Sequence, residues 1–305
     1  MIAPAVFWPT VLGAGFLLAG ILTYRRDLMA GTSRGMFGVV TLGPVFMAAA
    51  LAAFAGEHFT AARSLAQLVP KWMPAHLFIA YFVGVAHLAA ALSFVARRYV
   101  RWSALCLALM FSLFVLLMDL PGTLRHPSTL LNWSLTARET TFAFGALALF
   151  VTDIRSRRPS NSGPANMVAS ITRVWIGFVL VFYGFEHLLH PQYSPGVPDS
   201  TVTASWVPLP HALALITGVF LMACGIALML DKFAVSAGAM AGLLMALLTA
   251  FLYLPNYFLA RSVPQYVNAL NFIFDTLLFS GTLFVITRVI LDSEPQPAAI
   301  SHSAY

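Results

Sequence analysis

Apolar runs of about twenty residues follow one another almost from end to end of the chain, at about 7–23, 36–57, 74–96, 102–120, 132–152, 168–189, 209–230, 233–254 and 268–291. A run of that length is what an α-helix needs to cross the ~30 Å hydrocarbon core of a bilayer. In lipid each backbone N–H and C=O must find a partner within the protein, so such runs fold as helices and not as open strands. Composition points to the same solvent. Of 305 residues 60% are apolar and 9% are charged, against roughly 25% charged in an ordinary soluble domain. The sequence predicts an all-α polytopic membrane protein with about nine transmembrane helices, and the lipid bilayer as its first partner.

The formal charge of +6 does not indicate nucleic acid, because the basic residues form short clusters between the apolar runs rather than one stripe. Most of the 17 Lys and Arg fall on one side if the helices alternate in direction, among them Arg25, Arg26, Arg34, Arg97, Arg98, Arg101, Arg173, Lys232 and Arg288. The positive-inside bias then places the N-terminus outside and the C-terminus in the cytoplasm, in a bacterial inner membrane. Arg25 and Arg26 follow the first apolar run instead of preceding it, the reverse of a secretory signal, so this run is expected to remain as a helix. Cys106 and Cys224 are far apart inside apolar runs and offer no disulfide framework.

The polar landmarks come in two sets. Glu57-His58 and Glu186-His187 each end an apolar run; Trp72-Met73-Pro74 answers Trp206-Val207-Pro208, with Gly84 and Gly218 at the same distance beyond. Leu120-Pro121 answers Leu254-Pro255, and Asn132 precedes Glu139 by the interval that separates Asn268 from Asp275. Ordered matches of this kind define two four-helix units. Since each has an even number of helices, the units run parallel in the membrane. The expected division is an extra N-terminal helix and basic loop (1–35), a first unit (36–155), a basic linker (156–167), a second unit (168–291) and a disordered tail (292–305).

A Glu-His helix end, a Pro-containing loop, Trp-x-Pro and then a helix with a central glycine resemble the DoxX-like membrane proteins. The second unit, YGFEHLLHPQYSPG through WVPLPHALALITG, is the closer match. The resemblance covers both units. It implies a four-helix unit near redox or quinone chemistry, as in the small subunits of a membrane thiosulfate:quinone oxidoreductase or in maturation factors for periplasmic redox enzymes. The duplication and the extra leading helix depart from the simple family pattern.

Nearly every unusual polar residue belongs to the outer half of this arrangement. Ionisable groups in a span cost about 2.5–3.5 kcal/mol at the bilayer centre and therefore face the interior and pair. The expected catalytic or proton-handling group is Glu57, His58, Glu139 and Arg138, gathered in one outward pocket. His76, Asp119, Asn132 and Trp72 are ligand-binding candidates from the first unit. Glu186, His187, His211, Asn268 and Asp275 are those of a weaker twin in the second. No metal site is expected: His76 and His87 lie about 16 Å apart along a helix, and EHLLH has the wrong order for a zinc motif. GxSxG, GxGxxG and P-loop patterns are absent.

Three functions fit. The first is a redox-associated protein that binds a quinone or another amphipathic small molecule, with a Glu-His pair handling protons. The second is a small-molecule transporter; the third is a non-catalytic assembly factor with a periplasmic redox partner. The inner half holds almost no polar lining, which weighs against transport.

Overall fold

The computed structural model describes residues 3–32, 35–157 and 163–292. Nine helical rods cross it: α1 (Pro4–Thr32), α2 (Gly43–Thr60, led in by a 3-10 turn at Gly35–Leu42), α3 (His76–Ala96), α4 (Val100–Phe114, extended to Arg125), α5 (Leu130–Arg157), α6 (Gly163–Leu189), α7 (Pro210–Met229), α8 (Ala234–Leu248, extended to Leu259) and α9 (Val263–Leu291). The chain is an all-α integral membrane protein. Eight of the rods are long and apolar enough to span a bilayer. The ninth, α5, falls short because it carries Arg138, Glu139, Asp153, Arg155 and Arg157. It packs between α4, α6 and α9, so it has protein neighbours on several sides.

The two units interlock rather than closing as two separate bundles. In each, the first helix packs on the second and the third on the fourth: α2 on α3 and α4 on α5, α6 on α7 and α8 on α9. The fourth helices, α5 and α9, then meet at the centre. Each is also flanked by the other unit's first helix, α9 by α2 and α5 by α6. α9 is accordingly buried along most of its length, from Ala269 to Ile290. α1 lies at the periphery against α2, α3 and α9. It comes close enough that a Cβ at Gly56 would meet the backbone of Pro9.

Backbone irregularities recur in the two halves at one constant offset. The positive-φ residues Ala75, Arg97 and Tyr99 correspond to Leu209, Asp231 and Phe233, and they mark the same helix ends. A π-helical turn at Val115–Asp119 precedes Leu120-Pro121, and another at Thr249–Tyr253 precedes Leu254-Pro255. Proline removes a backbone N–H and crowds the preceding turn, and a π-turn is one way to absorb that. Residues 158–162 of the linker expected at 156–167, and the tail after Asp292, lie outside the described residues.

One end of the bundle gathers Glu57, Asp119, Glu139, Glu186, Asp199 and Asp275, most histidines and the Trp loops. The other holds Arg25, Arg26, Arg97, Arg98, Arg101, Arg173, Lys232 and Arg288. Arg34, expected at that same end, lies outside the residues whose side chains are described.

Candidate functional site

At the polar end α5 and α9 face each other through charge. The Arg138 guanidinium donates to Asp275 Oδ2 at 2.7 Å and to Glu139 Oε1 at 3.0 Å. Its Nε–H is buried without a partner, as is Asp119 Oδ2. Asp275 comes from the second unit, so the expected grouping needs correcting: Arg138 joins the two units and does not serve the first alone. Glu57 lies within electrostatic range of Asp275, and Asp119 within range of Arg138 and Glu139. The Glu57 carboxylate makes no hydrogen bond or ion pair among the described residues, while its backbone carbonyl accepts from the Ala61 N–H.

His58 does not join this cluster. Its Nδ1 is 2.9 Å from the Ala80 carbonyl, which fixes Nδ1–H as the donor, and its ring lies 5.5 Å from that of His87. His87 is buried against Phe54 and Phe111 with neither ring nitrogen partnered. Gly84 makes room for this: a Cβ there would come within 2.8 Å of His58 Cβ. The second unit repeats the arrangement, with Gly218 against His187 Cβ.

An open cleft lies by Glu186 and His187. It holds about 190 Å³ between Leu130, Leu131 and Ser134 of α5, the end of α6, and the loop residues Tyr193, Pro198, Asp199 and Ser200. At its base the Ser134 hydroxyl lies 2.6 and 2.7 Å from the two carboxylate oxygens of Glu186. Tyr183, one helical turn before Glu186, donates to the Ser134 carbonyl at 3.0 Å and fixes that stretch of α5. His187 Nε2 lies 3.0 Å from the Gly196 amide nitrogen and 3.1 Å from the Gly196 carbonyl oxygen, so it accepts from the N–H in one tautomer and donates to the C=O in the other. Gly196 has φ +119°, a conformation open to glycine and strained for other residues, and this brings its amide to the imidazole.

The loop over the cleft is pinned twice more. Tyr193 and Val202 form an antiparallel bridge, and the Tyr253 hydroxyl donates to the Pro195 carbonyl. Tyr253 closes the second π-turn at the position that Asp119 holds in the first. The same backbone device thus presents an acid in one unit and a loop anchor in the other.

Other expected site residues lie elsewhere. Trp72, His211 and Asn268 are exposed. Asn268 shares a helical face with Asp275, but it sits about 10 Å nearer the helix start at 1.5 Å per residue, before the buried stretch of α9 begins at Ala269. His76 bonds the Pro70 carbonyl at 3.0 Å and ties down its own loop. The Asn132 carbonyl accepts from Thr123 and Thr136. Sequence reasoning missed Ser134, Tyr193 and Asp199. Among the described residues no three His, Cys, Asp or Glu side chains are grouped to hold a metal.

A family model described as a domain of unknown function (DUF8561) matches residues 47–123, which run from α2 through the extension of α4 and include Glu57, His58, His87 and Asp119. No curated protein and no solved structure matches the chain.

Proposed function

We propose that the polar end binds a small amphipathic molecule of the quinone class, in its hydroxyl-bearing quinol form, and that Glu186 with its neighbouring imidazoles handles the associated proton. The observation that carries this is the bridging of both Glu186 oxygens by Ser134 at the base of the cleft. A carboxylate held in this way presents its remaining lone pairs to the cleft as acceptors. No Lys or Arg lines the space, while Glu186 and Asp199 do. Such a lining favours a ligand that donates hydrogen bonds over an anion. The volume of about 190 Å³ is below the ~300–1,000 Å³ of drug-sized pockets and suits one ring or headgroup with its tail in lipid. Leu130 and Leu131 supply the apolar wall.

The resemblance to DoxX-like proteins supports the redox setting, as does the orientation in which the basic end faces the cytoplasm and the cleft faces outward. A carrier would need a passage to the other end. There Phe142 and Phe279 pack edge to face, and a Cβ at Gly145 would meet Thr282 at 2.5 Å, so the α5–α9 seam is closed. The test is extraction of bound lipids and quinones from purified wild-type and Glu186→Gln protein. Enrichment of a quinol or quinone in the wild type alone supports the reading. Equal amounts in both refute it.

A further inference from the structure

The basic end holds a second pocket, of about 520 Å³, lined by Leu22, Thr23, Arg25, Arg26 and Asp27 of α1 and by Arg97 at the end of α3. We infer that it is a binding site for the phosphate-bearing headgroup of an anionic phospholipid.

One wall is built rigidly. Arg97 ends α3 in a left-handed conformation, pairs with Asp27 at 2.8 Å and lies 4.7 Å over the ring of Tyr24. Tyr24 is buried and donates to the Phe94 carbonyl at 3.2 Å. Asp27 is thereby committed to Arg97. Arg25 and Arg26 are exposed and make no ion pair among the described residues, so the pocket carries an excess of positive charge. Guanidinium groups match phosphate oxygens in two-point geometry and are more weakly hydrated than ammonium groups, which suits a phosphodiester at a membrane surface.

Position gives the second argument. Arg25 stands about 32 Å along α1 from Pro4 at 1.5 Å per residue, one bilayer core from the polar end. Below it Leu22 and Leu18, four residues apart on one helix face, are 64% and 63% exposed and offer a track for an acyl chain. Tyr99 and Trp102, both exposed, flank the same end as interfacial aromatic residues. Headgroup charge and tail path therefore coincide, which a free anion would not require.

The test uses the full chain in nanodiscs of phosphatidylcholine, alone or with cardiolipin or phosphatidylglycerol, and reads bound lipid by native mass spectrometry. The wild type is expected to retain the anionic lipids preferentially. The double variant Arg25→Gln/Arg26→Gln should bind them about thirty-fold more weakly, with an unchanged melting midpoint in phosphatidylcholine. If that variant does not accumulate, Thr23→Trp, which fills the pocket and keeps the arginines, should show the same loss. Equal retention by wild type and variant overturns the site. Displacement of the lipid by millimolar inorganic phosphate overturns the lipid assignment in favour of a free-anion site.

Discussion

The seam between α6 and α7 makes the sharpest stability prediction. Gly184 faces Gly218, and Gly177 faces Gly225, so the two backbones touch without intervening side chains. A Cβ at position 184 would lie 2.4 Å from the Gly218 carbonyl oxygen, and one at 225 would lie 2.5 Å from that of Gly177. Ordinary contact begins at 3.4 Å, so each alanine asks the helices to part by nearly an ångström against backbone that cannot rotate away. Overpacking of this kind costs about 1–3 kcal/mol, while glycine-to-alanine in a helix returns at most about 1 kcal/mol. Gly184→Ala should therefore lose about 1–2 kcal/mol net, and Gly184→Ala/Gly225→Ala about twice that. Gly15→Ala is the control, because nothing lies within 4 Å of its added Cβ. It should be neutral or slightly stabilising. Equilibrium unfolding in mixed micelles measures all four proteins. If Gly184→Ala proves as stable as Gly15→Ala, the close approach of α6 and α7 is wrong.

Three further outcomes follow from the same packing. Asp275→Asn leaves Arg138 with Glu139 alone and should lower stability by up to about 3–5 kcal/mol, the range for breaking a buried pair; the 20% exposure of both side chains places the expected loss toward the low end. Adding Arg138→Gln should recover part of it, and a melting series that shows no recovery would contradict the pairing. His87→Leu removes two unpartnered buried nitrogens and should leave the melting point level or higher; a clear fall would reveal a partner at His87. A cysteine in place of Ser200 should react with an impermeant maleimide in intact cells, and one in place of Lys232 should not; the reverse pattern would invert the orientation.

The all-α polytopic fold and the recurrence of paired landmarks could be read in the sequence because they rest on periodic apolar runs and repeated residues, which are local signals. Leu120-Pro121 and Leu254-Pro255 stood out only as paired landmarks; the π-turn before each proline, past which the rods continue to Arg125 and Leu259, and the helix contacts of Gly84 and Gly218 emerged from the structure. The grouping of charges was not legible in the same way. Whether Arg138 meets Glu57 or Asp275 depends on how the fourth helices cross, and no spacing within one unit encodes that. The cleft beside Glu186 was not legible for a similar reason. It depends on the fold of the 190–203 loop over α6, fixed by Gly196, Tyr193 and Tyr253 acting together. Ser134 carried no signal except its place one turn from Leu130 and Leu131. Its partner Glu186 lies 52 residues along the chain.

The proposed ligand-binding carboxylate is Glu186 and not Glu57. The most direct test is titration of a short-chain ubiquinol into wild-type, Glu186→Gln and Glu57→Gln protein in phosphatidylcholine nanodiscs, read by isothermal calorimetry beside a melting curve for each. Loss of one charge-assisted hydrogen bond, worth about 1.5–3 kcal/mol, predicts binding weakened at least tenfold in Glu186→Gln. Glu57→Gln, which alters no hydrogen bond among the described residues, should bind as the wild type does. Equal binding by wild type and Glu186→Gln, or loss confined to Glu57→Gln, would contradict the claim.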